Sequence, residues 1–250
     1  MVTNPTSGTR IDEIAEGIYR ISTPLPPTVV PGGFSLNQYL VIDERPLLFH
    51  TGTRGIFRLV REAIGAVLPA ERLRFVAFSH VEADECGALN DFLALAPDAV
   101  PLGSTIAATI SLGDSADRAP RGLADGEALT LGRRTLRWID APHLPHSWET
   151  GYLFDTETRT LLCGDLFTQP GAEHPPVTTA DVLGPSEAMR AGLDYFAHGP
   201  GDVQRLEHLA ALRPSTLACM HGSAFQGDGA ALLRALGEAL TVPRRAVAAG

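Results

Sequence analysis

The chain has only three cysteines, Cys86, Cys163 and Cys219, and none is spaced as CxxC. So sparse and odd a set excludes a disulfide framework and supplies neither a tetrathiolate zinc site nor a rubredoxin-type iron site. A reducing cytoplasm is therefore the expected compartment. Long apolar runs are missing too: each is broken by Pro or a charge well short of the ~20 residues a membrane helix needs. The N-terminal stretch MVTNPTSGTRIDE is polar and lacks the apolar segment of a secretion signal. There is no Lys/Arg-rich stripe either: 20 Lys+Arg against 29 Asp+Glu leave a net charge of −9. Nucleic acid and anionic membranes are poor partners for such a surface. Low-complexity tracts, short repeats and a glycine-rich dinucleotide loop are also absent from the sequence.

What is present suffices for a sizeable core: 250 residues, 44% of them hydrophobic. Residues 1–10 read as a flexible arm. The segment 11–22 reads as a strand pair turning at Glu16-Gly17, and Thr23–Ser35 is a Pro/Gly-rich loop of the kind that often borders a functional site. NQYLVID and PLLFHTG are strands. Phe57, Val60, Ile64, Val67 and Leu68 recur at helical spacing, predicting an amphipathic helix over 56–69. The continuous apolar run Phe75–Phe78 suits a strand covered on both faces. A helix follows from about Ala88 to Leu95, then a strand at 99–103 and a helix at 104–111. Between 121 and 165 apolar and polar residues alternate, as in antiparallel strands. From 186 the pattern is helical, through SEAMRAGLDYFAHG and DVQRLEHLAALRP, with a short strand TLACM before a closing helix. Each half runs strands and then helices, with no linker between them. One α/β domain over 1–250, two sheets sandwiched by helices, is the expected architecture.

Metal-type ligands gather at strand ends. His80, Glu82 and Asp84 directly follow the run FVAF, at the carboxyl edge where open sheets bind ligands. Alternate spacing lets His80 and Glu82 reach one point while Asp84 reaches a second. His143 and His146 follow RTLRWID, Asp165 follows LLC, and His221 follows TLAC. Each alone has an ordinary structural reading. Asp84 and Glu85 sit where a helix starts and are candidate caps or dipole partners. A His in an MHG turn or an Asp after a strand is unremarkable. Four strand ends delivering such groups together point to a metal site.

HxExD, then HxPxS, then GD, then HG resembles the metallo-β-lactamase superfamily, and within it the diiron domains of flavodiiron proteins and the stand-alone oxygen-binding diiron proteins. The likeness covers nearly the whole chain, from NQYLVID onward. Hydrolases of this superfamily carry HxHxDH; Glu82 stands where they have the second His. The resemblance implies an αββα sandwich of two mixed sheets and two metal ions, iron first and zinc or manganese as alternatives. It implies His80, Glu82 and His143 on one ion, Asp84 and His221 on the other, and Asp165 bridging. HLPHS aligns with HxPxS so as to make His143 the ligand. His146 is then a residue behind the ligands or in the pocket wall, or an alternative ligand. Two departures stand out. Glu85 replaces the family's last His, as a possible ligand to the second ion, and His50 stands where Asp is usual.

Carboxylates and imidazoles without thiolate favour iron or manganese over a structural zinc. Glu82, Asp84 and Asp165 bring three negative charges and Glu85 a fourth if it faces the site, and anionic charge stabilises the higher metal charge. The resemblance thus implies binding or reduction of O2, NO or peroxide in a pocket walled by residues such as His146, Trp148 and Phe167. No flavin is expected on this chain, so electrons would come from an external donor, and a homodimer is expected. A metal-dependent hydrolase of an ester, thioester, lactone or phosphodiester, using metal-bound hydroxide, is the competing expectation. An oxygen sensor without turnover is the third. Cys86 is expected to pack rather than react.

Overall fold

Period-two alternation decides how the strands are shared between three apolar layers. The structure, a computed structural model, describes residues 1–241; the remainder of the expected domain, 242–250, lies outside the described residues. Eight strands form the first sheet in chain order: β1 (Val2–Asn4), β2 (Thr9–Ala15), β3 (Ile18–Leu25), β4 (Phe34–Val41), β5 (Leu47–Phe49), β6 (Phe75–Ala77), β7 (Val100–Ser104) and β8 (Arg121–Leu123). Neighbours are antiparallel up to β5 and parallel from β5 to β8. The second sheet contains β9 (Ala128–Thr130), β10 (Thr135–Asp140), β11 (Gly151–Asp155), β12 (Thr160–Leu162), β13 (Val177–Thr178), β14 (Thr216–Ala218) and β15 (Ala224–Gln226), ordered β13-β15-β14-β12-β11-β10-β9.

Tyr39 and Val41 face inward from β4, as do Leu47 and Phe49 from β5. They meet Leu136, Trp138, Leu153 and Leu162 of the second sheet in a layer between the sheets. The residues alternating with them, Leu40 and Leu48, point outward to the helices α1 (Phe57–Gly65) and α3 (Leu89–Leu95), through Val60, Ile64 and Phe92. On the far side Tyr152, Phe154 and Leu161 meet Leu206, Leu209, Leu233 and Leu236 of α7 (Asp202–Ala211) and α8 (Gly229–Thr241). One side chain slip along any of these strands would exchange its core and helix-facing sets, so the sequence alternation fixes register as well as layering. The architecture is the expected αββα sandwich. The shorter helices α2 (Ala83–Cys86), α4 (Thr105–Ile110), α5 (Leu112–Ser115) and α6 (Leu183–Gly192) complete it. No helix among the described residues is long and apolar enough to cross a membrane.

Three expectations need correction. Residues 1–10 are not a loose arm: Val2–Asn4 pairs with β2, and the Asn4 amide donates to Glu62 on α1. A polar edge strand carries no apolar alternation by which to recognise it. The antiparallel run over 121–165 is split, because β8 pairs parallel with β7 in the first sheet while β9 begins the second. The helix expected from 186 starts at Leu183 and stops at Gly192, leaving 193–199 outside any helix or strand. That last difference matters for the site below.

Candidate metal centre

The four ligand-bearing segments leave their strands at one edge of the sandwich. β6 runs into Ser79 and His80, and Glu82 precedes the short helix α2, which carries Asp84 and Glu85. The turn after β10 delivers His146, and the loops after β12 and β14 deliver Asp165 and His221. Two donor groups result. His80, Glu82, His146 and Asp165 form the first, and Asp84, Glu85 and His221 the second, the donor atoms within each group lying within 4.8 Å of one another. In the first, His80 Nε2, His146 Nε2 and Glu82 Oε2 are mutually 3.0 Å apart. Asp165 stands between the groups. Its Oδ2 is 3.6 Å from His80 Nε2 and 3.4 Å from His146 Nε2, and its Oδ1 is 3.3 Å from His221 Nε2.

Each imidazole is aimed by its other nitrogen. His146 Nδ1 donates to the Tyr195 carbonyl at 2.9 Å, and His221 Nδ1 to the Ser35 carbonyl at 2.8 Å. His80 Nδ1 meets Ser79 Oγ at 2.9 Å, and that hydroxyl meets His50 Nε2 at 3.0 Å. A carbonyl acceptor on Nδ1 fixes the tautomer that presents an unprotonated Nε2, which is how proteins orient metal-binding histidines. The irregular segment 193–199 is what carries the Tyr195 carbonyl to His146.

The donor groups shift one another's protonation. Hydrogen bonds from His146 and His80 hold the Glu82 carboxyl down at about 2. Burial would raise Asp165, but contact with His221 and the charges of His80 and His146 keep it well below the usual carboxylate range. His146 would be lowered by burial, yet its bond to Glu82, the charge of Asp165 and the Tyr195 carbonyl lift it to about 9. Burial, then the charges of Asp165 and Asp84, push Glu85 well above the usual range. Glu85 is fully buried, and neither of its carboxyl oxygens has a hydrogen-bond partner among the described residues. Ionising a buried carboxyl costs several kcal/mol unless it is paired, and a cation between these groups would offset that cost. The donors therefore fit a pair of divalent ions, and the absence of thiolate fits iron or manganese.

Proton and metal compete for these atoms, which sets a pH dependence. Metal-free, His146 carries a proton below about 9 and must shed it to ligate. Affinity for Fe(II) should accordingly rise with pH, by up to tenfold per unit, and level off above that value. Calorimetry at neutral pH in two buffers of different ionisation enthalpy should register roughly one proton or more released per chain. Uptake independent of pH between 6 and 9 would exclude His146 as a ligand.

Most residues named from the sequence converge, and three do not. His143, expected as the ligand, is exposed and takes no part in either group. It adopts a left-handed backbone conformation (φ 68°), its N–H bonds to Ser147 O at 2.8 Å, and its Cβ lies 3.1 Å from where Gly199 would carry one. The turn thus sends His143 toward the α6–α7 connection and His146 into the site. Trp148 is half exposed, and Phe167 is buried in the outer apolar layer behind Asp165. Neither lines the pocket of about 170 Å³ beside the donors, whose walls are Phe34, Thr168, Met189, Leu193, Tyr195 and ligand-type residues. Asp84 and Glu85 do not cap α2, since its N-cap, Glu82, makes no side-chain cap bond. Cys86 packs as expected, and burial pushes its thiol up to about 11.

Sequence reasoning missed Ser79 and Glu149, and named His50 only as a departure from the family pattern without giving it a role. Ser79 joins His50 to His80. His50, fully buried and held down at about 3 by that burial, also meets Met220 Sδ at 3.0 Å. Glu149, buried, accepts the Val81 N–H at 3.0 Å and ties the His80 loop to the His146 loop. The HxPxSxE spacing was the available signal for Glu149.

An αββα sandwich with paired His/carboxylate groups along one edge defines a metallo-β-lactamase-fold protein. Residues 34–191 match the family described as ODP family beta lactamase, and the chain belongs to that family. It is 26% identical over 218 residues to rubredoxin-oxygen oxidoreductase from Megalodesulfovibrio gigas, a match covering 80% of this chain and 51% of that protein. It is 28% identical over 140 residues to nitric oxide reductase from Moorella thermoacetica, covering 55% and 35% respectively. The solved structure of a fragment of putative diflavin flavoprotein A 5 from Nostoc sp. shares the fold with a TM-score of 0.78, at 17% identity and 93% coverage of both chains. The first two curated relatives are matched over only 24% and 51% of their own length.

Proposed function

We propose that the chain is a non-haem diiron protein that binds or reduces O2, or NO or peroxide, with electrons from an external donor. The observation that carries this reading is Glu82. Where hydrolases of this fold offer a second imidazole, its carboxylate oxygen lies 3.0 Å from both His80 Nε2 and His146 Nε2. An anionic donor at that position suits a redox metal that must hold a higher charge. His80, Glu82 and His146 would hold the first ion, Asp84, His221 and Glu85 the second, and Asp165 would touch both. Two irons so held would supply electrons and open coordination for a diatomic oxidant.

The chain's own residues account for the rest. Ser79, Tyr195 and Ser35 orient the three imidazoles, and Glu149 fixes the His80 loop. Phe34, Met189 and Leu193 give the pocket an apolar wall, and about 170 Å³ is small beside the ~300–1,000 Å³ of ordinary ligand sites. A diatomic molecule and a few waters fit such a space. Neither Arg nor Lys is among the residues lining it, which weighs against the phosphodiester substrate of the hydrolase reading. The names of the relatives, an oxygen oxidoreductase that takes rubredoxin and a nitric oxide reductase, support the same chemistry. A homodimer working in the cytoplasm goes with this reading.

The test is elemental mass spectrometry on protein produced with iron and zinc both available, followed by anaerobic reduction and O2 titration. About two irons per chain and stoichiometric O2 uptake are expected. Zinc in place of iron, with no O2 uptake after iron loading, would sink the proposal.

A further inference from the structure

His50 is a fully buried imidazole behind His80, and its contacts decide which of its nitrogens carries the proton. It follows β5 in a left-handed backbone conformation (φ 67°), its own N–H donating to Ala77 O at 2.7 Å. The Ser79 backbone N–H donates to His50 Nε2 at 3.3 Å. A backbone N–H cannot accept, so Nε2 must present its lone pair and holds no hydrogen. The ring is therefore neutral, with its hydrogen on Nδ1, which lies 3.0 Å from Met220 Sδ, a weak acceptor. Met220 is itself fixed, its N–H on Gly164 O at 2.8 Å and its carbonyl on the Asn37 N–H at 2.9 Å. The Ser79 hydroxyl, 3.0 Å from His50 Nε2, donates to that same lone pair. Having given its one hydrogen to His50, Ser79 Oγ accepts from His80 Nδ1 at 2.9 Å. His80 Nε2 is left bare, facing Glu82 and His146.

We propose that His50 is a positioning residue for the first metal position: acting through the Ser79 hydroxyl, it fixes His80 as the tautomer whose Nε2 is free to ligate. This rests on the reading of the donor groups as a two-ion site. The other two imidazoles need no such device. His146 Nδ1 and His221 Nδ1 face backbone carbonyls, which only accept. His80 Nδ1 faces a hydroxyl, which donates or accepts as it rotates, so a further group must set its direction. His50 is that group. Without an acceptor there, the Ser79 hydroxyl turns and donates to His80 Nδ1, and His80 then carries its hydrogen on Nε2, where it opposes the ion. The chain of bonds ends on Met220, next to His221, so it also ties the loop of one metal position to the loop of the other.

The experiment first loads the full chain with Zn(II), a diamagnetic probe, and reads the histidine nitrogens by long-range nitrogen–proton correlation spectra. His50 should carry its hydrogen on Nδ1 with Nε2 bare, and His80 its hydrogen on Nδ1. Fe(II) is then titrated anaerobically into the unaltered chain, Ser79→Ala, His50→Leu and the double variant. Each single change should weaken one ion ~10–100-fold and leave the other in place. The double variant should bind no more weakly than either single one, because both changes break the same chain of bonds. His50→Gln, whose side-chain carbonyl accepts from Ser79, should recover most of the lost affinity, which a packing defect would not predict. The spectrum of the unaltered chain decides even where His50→Leu does not fold. A hydrogen on His50 Nε2, or penalties for Ser79→Ala and His50→Leu that add in the double variant, would overturn the positioning role while leaving the two-ion site standing. An unaltered chain that retains no metal would overturn the two-ion site and this role with it.

Discussion

Replacing Asp165 with alanine should leave the protein folded but unable to keep either metal ion. This side chain stands between the two groups, with one oxygen facing His80 and His146 and the other facing His221. Losing a ligand costs more than the ~10–100-fold seen when a residue behind a ligand is removed. Loss of a shared ligand incurs that penalty twice. Metal content measured after dialysis should fall from about two ions per chain to near zero, with the far-ultraviolet dichroism unchanged. If one ion stays, Asp165 serves a single position and does not bridge.

The second large effect separates two histidines three residues apart. His146→Ala should empty the first position, with affinity falling ~100-fold or more, while His143→Ala should leave both ions in place. The contrast follows from the turn after β10. His146 Nε2 reaches within 3.0 Å of both His80 Nε2 and Glu82 Oε2, whereas His143 is exposed beside Gly199. Metal titrations of the two variants, side by side, decide the matter; the opposite pattern would restore His143 as the ligand.

That pair also shows where sequence ceases to be informative. The strands, their layering and the strand-end position of the ligands were legible, because period-two alternation and apolar runs ending in His or Asp are local patterns. Glu82, Asp84, Asp165 and His221 were named from such patterns and converge in the structure. Which histidine of HLPHS turns inward is not a local property. It depends on the left-handed conformations of His143 and Ser147, and on the Tyr195 carbonyl nearly fifty residues away. The Tyr195 segment was itself misread as helix. Alternation and helical spacing report apolar faces, whereas 193–199 leaves the helix and presents a backbone carbonyl, a polar contact that such patterns do not record. Trp148 and Phe167 were misplaced likewise: aromatic residues near a ligand motif face the pocket only if the turn aims them there. His50 and Ser79 act through hydrogen bonds that leave no periodic trace.

The division of donors between the sheets has one more effect. The first sheet supplies His80, Glu82, Asp84 and Glu85; the second supplies His146, Asp165 and His221. β4 reaches across to hold the His221 loop, the Tyr39 hydroxyl bonding Cys219 O at 2.6 Å and the Asn37 amide bonding Gly222 O at 2.8 Å. An ion held between the donor groups would join the two sheets at this edge, beside the bonds β4 already makes across it.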